Sequence, residues 1–304
     1  MTNSFTKILQ FLGLTFLFSG IVVFISLVFN PVGMWTWISP ILYSASPALA
    51  VVVLKRYIYK EDMASYGLSF RDTNPGWLFQ VIGWYVVYIL LCIFIWYIGG
   101  SILHLAGWGH MELESIQALQ SNIEQFIARK EIPIIPLSPI VMVPIFVGIG
   151  LLSGYSFKLP ILVGEELGWR GFMMRSLQSF GLLQSAILIG VLEGIWQIPL
   201  FILQQSKVQI GDLLVFLMYN IVLCYLLLII RMKSNSLVSG AALRGMFVGW
   251  YLFFTAYNID GKSYIASGYG VIALIALIVV TTSIAYLNID VVENYNYMQD
   301  EVEE

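Results

Sequence analysis

The chain has 304 residues, of which 59% are hydrophobic and 11% are charged. A soluble domain carries roughly 25% charged residues, so this composition excludes an ordinary soluble enzyme. The net charge is −3, which argues against a nucleic acid partner. The sequence therefore predicts a membrane protein whose main partner is the lipid bilayer.

Apolar stretches of about twenty residues recur along nearly the whole chain, and each can cross a ~30 Å hydrocarbon layer as a helix. They are continuously apolar and do not alternate, which favours helices over a transmembrane barrel. The predicted fold class is therefore all-α, a polytopic transmembrane helical bundle. The predicted spans, about eight in number, are 8–29, 34–54, 77–103, 138–163, 182–203, 210–230, 236–258 and 265–288.

The basic residues predict how these spans are oriented. Lys7 precedes a long apolar run without a small-x-small cleavage site, so we interpret the run as a retained first span. Short cytoplasmic loops collect Lys and Arg. With the N-terminus inside, ten of the 15 basic residues lie on the cytoplasmic side and four lie outside, with Arg244 within a span. We expect a multi-pass protein of the cell membrane with both termini in the cytoplasm.

Two long segments interrupt the predicted spans, and an acidic stretch follows the last span. The polar connector 55–76 is expected in the cytoplasm, and 104–137 is expected to be the long outside loop. Apolar residues recur at helical spacing over 116–127, which favours an amphipathic helix at the membrane surface. The acidic stretch 289–304 is expected to be a solvated cytoplasmic tail. The chain is thus predicted to form one transmembrane domain, 1–288, followed by this tail.

The densest polar cluster is Gly-Glu-Glu-Leu-Gly-Trp-Arg-Gly at 164–171. Two adjacent carboxylates near membrane depth are costly and indicate a functional site. On a helix, Glu166 and Arg170 share a face and can pair, whereas Glu165 points about 100° away and stays free. The alternative is that both glutamates begin a helix at the cytoplasmic interface, where the helix dipole favours acids.

A second cluster lies in the fifth predicted span. Glu193 and Gln197 are one turn apart on one helix face, which should point into the bundle and not to lipid. Gly190 and Gly194 are four residues apart, a spacing that permits another helix to approach closely.

A third cluster contains a charged residue at mid-span. Arg244 is too deep to reach water comfortably by extending its side chain. It therefore needs an acidic partner or an aqueous cavity, and Glu193 and Glu165 are the candidate partners.

In this order and spacing, the three clusters resemble the CPBP family, the intramembrane proteases that include the Ras-converting CAAX endopeptidases and the bacterial Abi proteins. Residues 164–171 resemble the first motif of the family, 190–199 the second and 239–248 the third, within a motif core at 138–258. The resemblance implies a peptidase in which a glutamate and a His activate water. A second His and an Asn help to stabilise the oxyanion, and a metal requirement is debated for the family.

The resemblance assigns roles to the residues of the first motif. Glu165 matches the water-activating glutamate, and Glu166 and Arg170 match the pair that supports it. The predicted catalytic candidates are Glu165, Glu193, Gln197 and Arg244, with Glu166 and Arg170 as structural support.

The other two motifs depart from the family. Glu193 stands where the family has Trp or Phe, and Gln197 stands where it has a His. In the third motif Arg244 replaces the His and Val248 replaces the Asn. Gln is a poor base and Arg does not deprotonate, whereas a neutral imidazole accepts protons and binds metals. We therefore predict no metal and no other cofactor.

The two unusual charges are expected to compensate one another. Each would cost roughly 2.5–3.5 kcal/mol alone at span depth. In a fold like that of the family the second and third motifs converge on one cavity, so we predict an ion pair between Glu193 and Arg244.

The preferred function is binding. The scaffold is expected to be degenerate for hydrolysis and to hold a membrane peptide, a lipidated peptide or a partner helix at a charged intramembrane cavity. The alternative is an active endopeptidase of the CAAX-processing type, because Glu165 can still act as a base and Arg244 can still donate to an oxyanion. A small transporter is a further alternative, which the first motif does not support.

Overall fold

The computed structural model describes residues 4–28, 35–60, 75–105, 139–156, 158–204, 208–255, 269–293 and 295. Within these ranges the backbone is almost entirely helical and contains no strand, which confirms the predicted all-α class. The predicted surface helix at 116–127 lies outside the described residues, as do most of the connector 55–76 and most of the tail 289–304.

Nine α-helices of eight or more residues follow one another in the described chain. They are α1 (Ser4–Val28), α2 (Trp35–Val52), α3 (Pro75–Leu105), α4 (Pro139–Tyr155), α5 (Leu159–Glu166), α6 (Leu182–Gln204), α7 (Ile210–Ser234), α8 (Leu237–Thr255) and α9 (Val271–Leu287). Two of them continue as π-helix. The π-helical segment Val53–Tyr59 extends α2, and Leu167–Met173 extends α5 into a last α-helical turn, Met174–Ser176.

The helices are long and apolar enough for a multi-pass membrane protein. By length and composition, four segments of the described chain can each cross a membrane: Ser4–Val28, Ile38–Tyr59, Leu182–Ile202 and Ile210–Ser234. The bent pair α4 and α5 makes a fifth if it counts as one span. Three other helices contain shorter apolar segments, Phe79–Ile95, Leu237–Gly249 and Val271–Leu287. The predicted number of about eight spans is not confirmed.

The fourth predicted span, 138–163, is not one straight helix. Helix α4 ends at Tyr155, and α5 begins at Leu159 with a bend of 67° between them. The Leu159 amide closes a turn on the Ser156 carbonyl at 2.9 Å, and Pro160 occupies the first turn of α5. Proline fits there because its missing N–H has no helical partner at that position. The new helix thus starts before the Glu-Glu motif.

Helix α8 occupies the centre of the bundle and packs against α3, α4, α5 and α7. Its contact with α4 is close because glycines of both helices meet. A Cβ atom on Gly249 would lie 2.6 Å from the Gly150 Cα atom, and one on Gly245 would lie 2.8 Å from the Gly154 Cα atom. This small-residue packing lets the two backbones touch. It fixes the position of α8, which carries Arg244.

The predicted close approach at Gly190 and Gly194 is confirmed. Helix α6 packs against α7, and a Cβ atom on Gly190 would lie 2.6 Å from the Ile221 Cα atom. A Cβ atom on Gly194 would lie 2.7 Å from a methyl group of Leu217. The absence of side chains at these two positions therefore brings α7 against the face of α6 that carries Glu193.

The C-terminal ends of α7 and α9 meet at one end of the bundle. Helix α7 begins at a capping box between Gln209 and Asp212 and ends at Asn235, whose φ of 49° is left-handed. Just before that end, Lys233 Nζ lies 3.0 Å from Asp290 Oδ2, which follows α9. The hydrogen bond from Lys233 lowers the pKa of Asp290. These two residues lie at the same end of the bundle, and the prediction that this end faces the cytoplasm stays a prediction.

Candidate functional site

Five charged side chains from three helical elements meet in the protein interior. They are Glu165, Glu166, Arg170, Glu193 and Arg244, and none is more than 5% exposed. The first three lie on α5 and its π-helical extension, Glu193 lies on α6 and Arg244 lies on α8. Buried ions are costly unless they are paired and hydrogen-bonded. We call this group the ion cluster.

The π-helical extension of α5 is buried along its whole length. Every residue of Leu167–Met173 is buried, with Trp169 and Phe11 in edge-to-face contact at 5.4 Å between ring centroids. A Cβ atom on Gly168 would lie 2.5 Å from the Pro47 Cβ atom of α2, so only glycine fits there. π-Helical turns inside α-helices frequently mark functional sites. Here the turn carries Arg170 into the ion cluster.

Arg170 bridges two carboxylates. Its Nη1 atom lies 3.2 Å from Glu166 Oε1 and 2.7 Å from Glu193 Oε2. The predicted pair of Glu166 and Arg170 is therefore confirmed, and Glu193 is a second partner. The Nε and Nη2 atoms of Arg170 have no hydrogen-bond acceptor among the residues that the structure describes.

Arg244 contacts all three glutamates. Its Nη2 atom lies 2.7 Å from Glu165 Oε2, and its Nη1 atom lies 3.3 Å from Glu166 Oε1. Nη1 also donates a hydrogen bond to Glu193 Oε1. The predicted ion pair between Glu193 and Arg244 is confirmed.

Glu165 was expected to stay free of Arg170 and was one of the two candidate partners of Arg244, and its pairing with Arg244 is confirmed. Its carboxylate forms an ion pair with Arg244 and accepts a hydrogen bond from the Ser44 side chain. The helical geometry within the motif is as expected, because Glu165 and Glu166 point in different directions from α5. Helix α8 packs against α5, however, and the guanidinium of Arg244 on α8 is wide enough to reach the carboxylates of both Glu165 and Glu166.

A cavity of about 240 Å³ adjoins the ion cluster. Glu165, Gln197 and Arg244 all line it, so the structure brings these three predicted site residues together. Glu166, Arg170 and Glu193 are not among the described residues that line it. Glu165 and Arg244 thus form the side of the ion cluster that faces the cavity, and the other three residues lie behind them.

Several residues of the cavity wall were not predicted. Asn220 and Tyr219 come from α7, Ser44 from α2 and Lys158 from the start of α5. Asn220 is an amide within an otherwise apolar stretch of α7, where its Nδ2 atom donates to the Phe216 carbonyl at 2.9 Å. A polar group at span depth is a signal that sequence reasoning can use. Ser44, Tyr219 and Lys158 give no such signal.

The donor set does not fit a metal ion. The described residues contain no group of three or more His, Cys, Asp or Glu side chains arranged to hold one. The three carboxylates of the ion cluster are instead directed at guanidinium groups. No chemistry is therefore assigned to a metal here, and the absence of a resident metal stays a prediction.

Part of the chain matches a known family. Residues 136–250, which include all three motifs, match the family model described as Type II CAAX prenyl endopeptidase Rce1-like. No curated protein matches the chain significantly. The match covers the ion cluster and most of the cavity wall. The chain is therefore a membrane protein with an Rce1-like domain, and the resemblance to the CPBP family of CAAX proteases is confirmed.

Proposed function

We propose that this CAAX-protease-like membrane protein does not hydrolyse peptides. It binds a membrane peptide, a lipidated peptide or a partner helix at the cavity beside the ion cluster. The observation that carries the proposal is the 2.7 Å ion pair between Arg244 and Glu165.

This ion pair weakens Glu165 as a base. A carboxylate that activates water must accept its proton, and a guanidinium in contact stabilises the ionised form. Arg244 does not release a proton, and the neighbouring Gln197 amide does not accept one as an imidazole does. The positions that match the family's two histidines therefore hold groups that can donate hydrogen bonds but cannot exchange protons near pH 7.

The cavity suits a segment of a larger apolar ligand. Its volume of about 240 Å³ is below the ~300–1,000 Å³ of small-molecule pockets, so it accommodates one part of a longer molecule. Apolar side chains, among them Leu162, Leu200 and Phe247, form much of the wall. The Gln197 and Asn220 amides offer hydrogen bonds of both kinds, as a peptide backbone requires.

An active endopeptidase is the rival proposal. The family match favours it, and Glu165 does line the cavity. In that case Arg244 would stabilise an oxyanion and Glu165 would act on water. The two proposals differ in one observable, the fate of the bound peptide.

Binding and cleavage can be measured in one experiment. The protein in lipid nanodiscs is incubated with a library of alkylated peptides, and captured and free peptides are identified by mass spectrometry. We expect intact peptides to be captured. The exposed carboxylate variant Glu293→Gln serves as a control that should behave like the wild-type protein. Absence of capture would overturn the proposal, and cleavage that disappears in Glu165→Gln would establish the rival.

The proposed location is the cell membrane with both termini in the cytoplasm. Cysteines introduced at 231–235 should react with a membrane-impermeant reagent only after the cells are opened, because basic residues there favour the inside. Cysteines in 104–134 should react in intact cells. The opposite labelling pattern would show that the protein has the reverse orientation in the membrane.

A further inference from the structure

We propose that the ligand places a positively charged ammonium group beside Glu165 in the cavity. This inference rests on the proposed function and names the chemistry of the bound peptide, which carries a lysine side chain or another amine within its apolar segment. Four observations carry it: the charge balance of the ion cluster, the position of Glu165, the aromatic wall and an unpaired indole N–H.

The ion cluster contains more carboxylates than guanidinium groups. Three glutamates face two arginines, so the fully ionised cluster has one excess negative charge. The arginine charges are shared among the carboxylates, since Arg170 contacts two of them and Arg244 contacts three. A buried excess charge attracts a counter-charge far more strongly than an exposed one.

Glu165 is the carboxylate that brings this excess negative charge to the cavity wall. Glu166 and Glu193 each contact both arginines, whereas the ion pair of Glu165 is with Arg244. Glu165 is also the glutamate of the cluster that lines the cavity among the described residues. A cation in the cavity therefore meets the least compensated carboxylate of the cluster.

Aromatic side chains surround the same space. Trp196, Tyr219, Phe247 and Tyr269 all line the cavity, with Tyr219 and Tyr269 in edge-to-face contact at 5.2 Å between ring centroids. Walls of this kind bind ammonium groups through the negative faces of the rings. The same rings bury the methylene stem of a lysine side chain.

One buried donor in this wall lacks a partner. Trp196 is 1% exposed, and its indole N–H has no acceptor within the described parts of the chain. Buried polar groups are normally satisfied, so an unpaired one beside a cavity indicates a group that the ligand supplies. A peptide carbonyl next to the ammonium-bearing side chain is an acceptor of the right kind.

Lys158 is the exposed cation of the wall and therefore a competitor. It precedes α5 and lines the same cavity as Glu165. A ligand ammonium and the Lys158 ammonium are attracted to the same carboxylate and repel each other. Removing the Lys158 charge should therefore strengthen the binding of a cationic ligand, whereas it should weaken the binding of an anionic one.

The test uses three alkylated peptides that differ at one position, which carries lysine, acetyl-lysine or glutamate. Dissociation constants are measured for the wild-type protein in nanodiscs made of one neutral lipid. We expect the lysine peptide to bind about tenfold more tightly than the acetyl-lysine peptide, which has nearly the same shape and no charge. The glutamate peptide should bind most weakly. Equal binding of all three overturns this inference and leaves the proposed function standing, whereas no binding of any peptide overturns both.

Variants of the protein locate the effect. In Glu165→Gln the preference for lysine over acetyl-lysine should fall to about twofold or less, while the acetyl-lysine peptide still binds. Lys158→Gln should increase the preference, and the exposed control Glu293→Gln should leave it unchanged. A preference that persists in Glu165→Gln contradicts the assignment. If Glu165→Gln does not fold, the wild-type peptide series and Lys158→Gln decide the matter.

Discussion

Arg244 Nη2 lies 2.7 Å from Glu165 Oε2, across the contact between α8 and α5. The resemblance to the CPBP family matches these two residues with a histidine and with the glutamate that activates water. In this chain the partner of Glu165 is Arg244, a residue that does not release its proton near neutral pH. Arg244 also donates a hydrogen bond to Glu193, the unusual residue of the second motif. The unusual residues of the second and third motifs thus form one electrostatic unit.

The coupling within this unit can be measured by a double-mutant cycle. Arg244→Gln leaves three carboxylates with one guanidinium, and breaking such a buried network should cost on the order of 3–5 kcal/mol in the free energy of unfolding. Glu193→Gln should cost less, because it leaves two carboxylates facing two guanidinium groups. The double variant should recover part of the loss, because Arg170 then faces two carboxylates and not the three that Arg244→Gln alone leaves.

Unfolding of the purified protein in detergent gives these free energies. The exposed variant Glu293→Gln should lie within about 0.5 kcal/mol of the wild-type value. Losses for Glu193→Gln and Arg244→Gln that add without any interaction energy would contradict the coupling.

The close contact between α4 and α8 predicts that one glycine cannot be replaced. A Cβ atom on Gly154 would lie 2.5 Å from the Ala242 carbonyl oxygen, so Gly154→Ala should cost about 1–3 kcal/mol of stability through overpacking. The matched control is Gly148→Ala on the same helix, where a Cβ atom meets nothing within 4 Å. That control should be neutral or stabilising, because Ala is the better helix former. Thermal unfolding in detergent separates the two, and equal effects would rule out this packing.

Two buried tyrosines should respond differently to the loss of a hydroxyl group. The Tyr43 hydroxyl donates to the Trp196 carbonyl, whereas the Tyr85 hydroxyl has no partner within the described residues. Tyr43→Phe should therefore cost about 0.5–1.5 kcal/mol. Tyr85→Phe should be neutral or stabilising, because it removes an unpaired polar atom from the interior. A larger loss of stability for Tyr85→Phe than for Tyr43→Phe, measured by thermal unfolding in detergent, would contradict these assignments.

Much of this arrangement follows from local sequence rules. The i, i+4 spacing predicts the pair of Glu166 and Arg170, and the cost of isolated charges at membrane depth predicts the pair of Glu193 and Arg244. Each of these predictions concerns only two residues, which lie either on one helix or at two buried positions where each charge needs a partner. The structure contains both ion pairs.

Other features depend on how several helices meet and are not visible in a local pattern. The sequence left open whether Glu193 or Glu165 pairs with Arg244, because the direction of Glu165 on α5 does not reveal that Arg244 of α8 reaches both. The bend between α4 and α5 falls inside the predicted span 138–163, because an apolar run does not show where a helix turns. Asn220 was overlooked although a lone amide in an apolar helix is unusual, and α7 packing brings it to the cavity.

The zinc content of the protein shows whether the carboxylates of the ion cluster bind a metal. The three glutamates of the ion cluster contact guanidinium groups, and the cluster contains no histidine that could bind a metal. We therefore expect no stoichiometric zinc in the purified protein. Elemental analysis measures this directly, and treatment with a chelator should leave the unfolding temperature unchanged. One tightly held zinc ion per chain would show that the site is a metal centre.

Isotope-labelled water shows whether Arg244 prevents Glu165 from activating water for hydrolysis. Hydrolysis of a peptide bond places one water oxygen in the new carboxylate. The protein in nanodiscs, in excess over a captured alkylated peptide, is therefore incubated in H₂¹⁸O and the peptide is analysed by mass spectrometry. We predict that the peptide is recovered intact without ¹⁸O, both from the wild-type protein and from Glu165→Gln. Fragments that carry ¹⁸O from the wild-type protein, and that are absent with Glu165→Gln, would show that the protein hydrolyses peptides through Glu165.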